Sequence, residues 1–241
     1  MPLQKSIPHL VKSFANHSAA NKLYFLAVAL LVAFIVWQGF LLTRKAPSAA
    51  PVTGIARPNA SDIIVGNPDA RIKVILYTDY ECPFCHTVDT AIPYWIQVFG
   101  SSTIAFHLRH LPLTYIHPKA LEFARDVECT KRLYGDDTAY RIGTHLYENR
   151  NLSLDDIRGG YSSVVQEVEE QTLATCRYTD AVTKKIESNA HEALINEVNR
   201  TPSMFIYDEQ TKRFLGKRIG GGAQPYDTIL KTVIASIKSG N

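Results

Sequence analysis

Residues 1–60 contain no acidic side chain. Lys5, Lys12, Lys22, Arg44, Lys45 and Arg57 make that stretch +6, so with a net charge of +3 for the chain, residues 61–241 carry −3. The basic excess therefore belongs to the N-terminal flank. No basic stripe of the kind that binds nucleic acid runs through the rest. Leu23 to Leu42 lacks charge altogether, and Gln38 is its most polar member. A helix of that length spans roughly 30 Å, the thickness of a bilayer core. Tyr24 and Trp37 lie towards its two ends, where amphipathic rings favour the interface. With no polar face, a buried soluble helix is not expected.

Also missing are the ligands of a metal site. The four cysteines are Cys82, Cys85, Cys129 and Cys176, and the last two stand alone. Tetrahedral zinc needs four ligands, and no His-x3–5-His pair lies near the close pair, so no metal is expected. No organic cofactor is called for, and no internal repeat is visible. An even number of cysteines fits an oxidising compartment.

These absences organise the N-terminal quarter. Residues 1–22 are expected to be a cytoplasmic tail and residues 23–42 a single transmembrane anchor. Residues 43–60, rich in Ala and Pro with no apolar period, read as an extended tether. The alternative is a cleaved signal peptide. Its apolar region would be unusually long, and Pro47 and Pro51 make a poor cleavage site. The positive-inside bias is slight, and an N-in orientation is chosen because it puts the cysteines outside the cytoplasm.

What is present is Cys82-Pro83-Phe84-Cys85, between an apolar run (Lys73 to Tyr80) and a segment with helical spacing. Two cysteines so spaced at a strand-to-helix junction read as a redox dithiol. A thiol at a helix N-terminus faces unpaired N–H groups and the positive end of the dipole, which favours its thiolate. Cys82 is thus expected to attack and Cys85, one turn on, to resolve. Half a zinc site and two inert buried thiols are the alternatives. His86 follows the pair as a tuning candidate or a solvated first-turn residue. His110 and His117 read as loop or capping residues.

The rest of residues 61–241 reads as α/β. A short strand and turn occupy 62–70, and Val74 to Tyr77 suits a strand buried on both faces. A helix from the CPFC stretch to about Phe99 is expected to kink at Pro93. Thr103 to Leu108 is the next strand. From Pro118 to Val198 the pattern is helical. Ser153 opens one helix with Asp156 at the capping-box position, Val164, Val165, Val168 and Thr172 share another, and Asp180 caps a last one. Met204–Tyr207 and Arg213–Ile219 form a hairpin. Residues 220–222 are a Gly joint, and Pro225 to about Ile237 a closing helix with Ile229, Val233 and Ile237 on one face.

This order, with a CxxC at the first strand–helix turn and a late Thr201-Pro202, resembles the thioredoxin fold. The helical insertion at about 118–198 resembles the DsbA-like branch of thiol:disulfide oxidoreductases. Gly66-Asn-Pro-Asp-Ala70, Asp79-Tyr-Glu-Cys-Pro-Phe-Cys85, Arg109-His-Leu-Pro-Leu113 with His117-Pro118, Glu128-Cys129 and Thr201-Pro202 carry that similarity. The resemblance implies a cis Pro202 packed on the dithiol, where sequence alone leaves trans open. It implies that Thr201 offers its backbone to an unfolded exported substrate. It implies a Cys129–Cys176 structural disulfide, free thiols being the alternative. It also implies a quinone-linked membrane partner that re-oxidises the dithiol, in a domain facing the periplasm or cell exterior from the cytoplasmic membrane.

Departures from the family pattern bear on direction. Leu76 stands where many relatives carry a buried acid, which leaves proton handling to water or to Asp79 or Glu81. Pro83-Phe84 lacks the histidine of the most oxidising members, and Arg200 replaces a glycine before Thr-Pro. A disulfide reductase or isomerase is therefore an alternative to an oxidase. An envelope assembly or chaperone-like factor is the alternative of another class.

Overall fold

The computed structural model describes residues 23–38, 54–220, and residues 231, 233–235 and 238. The chain divides into two units, residues 1–48 and 49–241. Of the first, residues 23–38 form helix α1. Residues 39–42, the remainder of the expected anchor, lie outside the described residues, as do 1–22 and 43–53. Among the described residues, no helix is long and apolar enough to cross a membrane.

The second unit is built on a five-stranded sheet in the order β1-β3-β2-β4-β5. Its strands are β1 (Ile63–Gly66), β2 (Ile72–Thr78), β3 (Ile104–His110), β4 (Ser203–Asp208) and β5 (Arg213–Gly220). β2 runs parallel to β3, and the other pairings are antiparallel. A parallel pair needs a crossover. Here it is made by α2 (Pro83–Asp89) and α3 (Ile92–Phe99).

The side chains of β2 alternate between two apolar layers, as strand geometry requires. Val74 and Leu76 join the large core under the helices with Trp95, Phe106, Phe123, Ile142 and Leu146. Ile75 and Tyr77 face a smaller core with Ile55, Leu111, Leu113, Val198 and Phe205. Ile55 shows that packing begins before residue 61. Arg109 holds that entry segment: it donates to the Ala56 and Arg57 carbonyls, to both Asp62 carboxylate oxygens and to Glu192. Burial raises the Asp62 carboxyl, but hydrogen bonds from His107 and Arg109 outweigh it and hold it well below the ordinary range.

Between β3 and β4 lie α4 (Ala120–Tyr134), α5 (Asp136–Asn149), α6 (Leu154–Gly159), α7 (Tyr161–Val164), α8 (Glu170–Cys176) and α9 (Asp180–Ile195). Ser153 caps α6 by accepting from the Asp156 N–H at 3.2 Å. Buried Asp126 gathers Arg158, Arg177 and the Tyr161 hydroxyl from three elements. Cys129 on α4 and Cys176 at the end of α8 are joined, with Cα atoms 5.8 Å apart.

Three expectations change. The CPFC helix does not bend at Pro93 but stops at Asp89, and a new helix begins with Pro93 in its first turn. A proline excludes the hydrogen bond to the carbonyl four residues earlier. That carbonyl is Asp89's, and the Tyr140 hydroxyl takes it instead at 2.9 Å. Val164, Val165, Val168 and Thr172 do not share a helix. Val165 is extended (φ −140°, ψ 110°), and Val165 and Val168 are buried from a turn between α7 and α8. The cap before α9 is Thr179, with Asp180 the first helical residue. For the closing helix, Val233 is helical and buried, whereas Ile229, Ile237 and Gly221–Gly222 lie outside the described residues.

Candidate active site

Cys82 is the N-cap of α2, with extended backbone angles (φ −75°, ψ 121°), and Pro83 occupies the first turn. Proline suits that position because the N–H it lacks would have no helical partner. The Cys82 N–H donates to the Asp79 carbonyl, and its own carbonyl accepts from the Cys85 and His86 N–H groups. The sulfur is buried and lies 3.9 Å from the Thr201 carbonyl oxygen. The Thr201–Pro202 bond is cis. Gly220, at φ +91°, lets β5 close on this edge, since a Cβ there would sit 2.5 Å from the Pro202 carbonyl oxygen.

The two thiols are driven apart. Cys82 is lowered to about 6, first by the hydrogen bond from Cys85, then by the Cys85 and Phe84 backbone amides and the Thr201 side chain, against the opposing effect of burial. Cys85 is fully buried, and burial pushes its thiol well above the ordinary value. The Cys82 charge pushes it further, while the Thr78 hydroxyl and the Asp79 amide oppose. Thr78 in turn shares a 2.5 Å hydrogen bond with the buried Tyr147 hydroxyl. His86 stacks on the Tyr147 ring, 5.7 Å between centroids at 11°. One thiolate at the N-terminus of α2 and one protonated thiol a turn behind it is the division that disulfide exchange needs.

The loop before the dithiol is clamped. The Asp79 carboxylate accepts from the Glu81 N–H, the Leu113 N–H and the His117 ring at 2.8–2.9 Å. Glu81 accepts from the Lys119 N–H. These bonds bring the 113–119 loop beside the cysteines, with Tyr115 73% and Ile116 57% exposed at its tip, and Phe84 is 45% exposed on α2.

Residues 59–218 match the family model described as Thioredoxin (Thioredoxin_4). The chain belongs to the thioredoxin family. Within that family its fold is that of the DsbA-like thiol:disulfide oxidoreductases. It resembles DsbA2 of Pseudomonas aeruginosa at 24% identity and a TM-score of 0.57, over 76% of this chain and 95% of that one. It resembles oxidised BdbD of Bacillus subtilis at 19% and 0.58, over 76% and 97%. Among curated proteins it is 26% identical over 190 residues to the Na(+)/H(+) antiporter NhaA 1 of Mycobacterium sp. strain KMS, covering 77% of this chain and 30% of the relative. The chain thus spans about a third of the length of the curated relatives it matches.

In this thioredoxin-family domain, Cys82, Cys85, Thr201 and Pro202 come together, with Phe84 and His86 on the same helix. Cys129 and Cys176 lie in the helical insertion, bonded to each other. Arg200 is exposed, and its carbonyl accepts from the Ser203 hydroxyl at 2.7 Å. Leu76 is buried in the main core. Of the two acids ahead of the dithiol, Asp79 accepts three hydrogen bonds and Glu81 one, from the Lys119 N–H. Two features of the site escaped the sequence reading. One is the Thr78–Tyr147 pair, which joins a strand to α5. The other is Asp89, one turn beyond Cys85 and only 2% exposed. Burial and the charge of Glu148 push its carboxyl up to about 7, against one favourable hydrogen bond from Thr144. Its signal was the i,i+4 spacing from Cys85 within an expected helix.

Proposed function

We propose that this chain is a membrane-anchored thiol:disulfide oxidoreductase that introduces disulfides into exported proteins outside the cytoplasm. Cys82 and Cys85 are its redox pair. A substrate thiolate attacks oxidised Cys82, Cys85 leaves as a thiolate, and a mixed disulfide forms. A second substrate thiolate then displaces Cys82, which departs as the better leaving group. Unfolded substrate pairs with the backbone at Thr201, beside Pro202, and rests on the apolar surface of Phe84, Tyr115 and Ile116. A quinone-linked membrane protein re-oxidises the dithiol. The Cys129–Cys176 bond is a structural staple. Alkylation of both residues in the native, unreduced protein would remove that role.

The observation that carries the reading is the opposed shift of the two thiols. A Cys82 thiol lowered from 9.0 to about 6 stabilises the reduced form at pH 7 by on the order of 1 kcal/mol, which moves the pair towards oxidant. Phe84 favours the weaker, reductase-like end, because its side chain cannot donate to the thiolate as a histidine there would. Equilibration with glutathione decides between them: a potential near about −270 mV rejects the oxidase. If Cys82→Ser fully supports the cellular role, the assembly-factor reading takes over. The uncharged stretch at 23–42 supports anchoring, as does likeness to part of proteins named as antiporters. Release of the full chain by carbonate washing of membranes rejects it.

A further inference from the structure

Cys85 has no carboxylate on the strand behind it. At that place the chain carries Leu76, and the two acids before the dithiol are bound to loop amides. Yet Cys85 must gain a proton when it leaves and lose one when it attacks. On α2, Asp89 follows Cys85 by four residues, so the two side chains share one face of the helix. Helical side chains four residues apart are neighbours, and Cys85 and Asp89 both act electrostatically on the buried Tyr80 and Tyr147 hydroxyls. Cys85 and Asp89 are themselves buried.

Asp89 also borders a groove open to solvent, about 410 Å³ in volume, which it lines with Thr90, Pro93, Tyr140, Thr144 and Glu148. The carboxylate receives one hydrogen bond, from the Thr144 hydroxyl to Oδ2 at 2.9 Å. Other ionisable groups around it are engaged or face solvent. From α5, Arg141 donates to the Val164 carbonyl, His145 bonds the Ile157 carbonyl, Tyr140 is bonded to the Asp89 carbonyl, and Glu148 is exposed. On its own helix His86 stacks on Tyr147, and Tyr80 packs on the same ring. α3 and α7 line the groove with Pro93 and Val164 alone.

We propose that Asp89 is the proton acceptor and donor for Cys85, exchanging protons with solvent through the groove between α2 and α5. The proposal rests on the thiol:disulfide reading of the dithiol. When a substrate thiolate attacks Cys82, the Cys82–Cys85 bond breaks, Cys85 departs with the electron pair, and the Asp89 carboxylic acid protonates it. In the reverse step the Asp89 carboxylate takes the Cys85 proton. The resulting thiolate attacks Cys82 of the mixed disulfide, and the substrate leaves as a thiolate. A carboxyl that titrates near neutrality serves both directions.

The test uses the full chain with Cys82 carried as a glutathione mixed disulfide, and follows release of glutathione by Cys85 in stopped flow from pH 5.5 to 8.5. Wild-type protein should show a step in rate centred near pH 7. Asp89→Asn should lose the step and slow release about tenfold at pH 7, while the iodoacetamide reactivity of reduced Cys82 stays within twofold of wild type. Asp89→Glu should restore the step. Thr144→Val, which removes the one bond favouring the anion, should move the midpoint to higher pH. A wild-type rate and profile in Asp89→Asn overturns the proposal, as does a midpoint in Thr144→Val that does not move. Failure of the underlying reading looks different: Cys85→Ser would then release glutathione as fast as wild type.

Discussion

Two buried aspartates flank the dithiol, and they do opposite things. Asp79, before α2, is saturated with donors from two chain segments and anchors the 113–119 loop. Asp89, at the far end of the same helix, has one hydroxyl donor and a groove beside it. Burial is shared. The difference is how many donors meet each carboxylate, and that decides which one is structure and which one is free to exchange a proton.

Truncating Asp79 tests the first half of that comparison. Asp79→Ala strands the Leu113 and Glu81 N–H groups and frees the loop. An expected loss of about 4 kcal/mol should appear in urea unfolding, combined with slower reaction of Cys82 towards unfolded substrate. An unaltered urea midpoint would put the anchor of the loop elsewhere.

Asp89 should behave in the opposite sense. Its folded carboxyl titrates near 7 and its unfolded one near 3.8, so the native protein binds the extra proton between these values. The contribution of Asp89 to wild-type stability must therefore fall as pH rises through that window, by about 4 kcal/mol in total. Asp89→Asn escapes the fall, less the cost of burying an amide. It should be more stable than wild type by about 2 kcal/mol at pH 8, an advantage that vanishes near about pH 5.5 and reverses to a similar deficit by about pH 4. Melting curves across pH show whether the two lines cross within that window.

Cys82 gives a smaller effect. Because its thiol is lowered to about 6, the stabilisation of the reduced form is lost as pH falls from 9 through 6. The potential should change by about 60 mV per pH unit below 6 and about 30 mV above it. A single slope from pH 5 to 8 would contradict the thiolate assignment. The smallest effect belongs to Tyr147→Phe, which leaves the Thr78 hydroxyl without its partner. It should cost about 1 kcal/mol in stability. The same variant should leave the Asp89-dependent step near pH 7 in place, which separates the hydroxyl pair from the proton route.

Much of this was legible in residue order. The strands, the CPFC junction and the Thr201–Pro202 edge follow from apolar runs, turn residues and spacing that act locally. The helical insertion was visible as a block but not in its internal breaks. Val164, Val165, Val168 and Thr172 satisfy helical periodicity, yet Val165 and Val168 bury themselves from a turn, and periodicity cannot tell a helix face from two apolar anchors. Asp79 and Glu81 looked like free acids because their donors come from 34 and 38 residues away. Asp89 lay in plain spacing from Cys85, but its burial depends on α5 packing over that face, which no local pattern encodes.

The interruption ahead of Pro93 has an electrostatic consequence. It makes α2 a seven-residue helix with its own two poles. Cys82 stands at the pole of unpaired N–H groups, where negative charge is welcome. Asp89 is the last residue, at the pole towards which the carbonyls point, where negative charge is resisted. The same short dipole that acidifies the attacking thiol makes the carboxyl behind it a weaker acid. A longer, unbroken helix would have carried the carbonyl pole away from Asp89 towards Phe99 and left only half of that polarisation at the site.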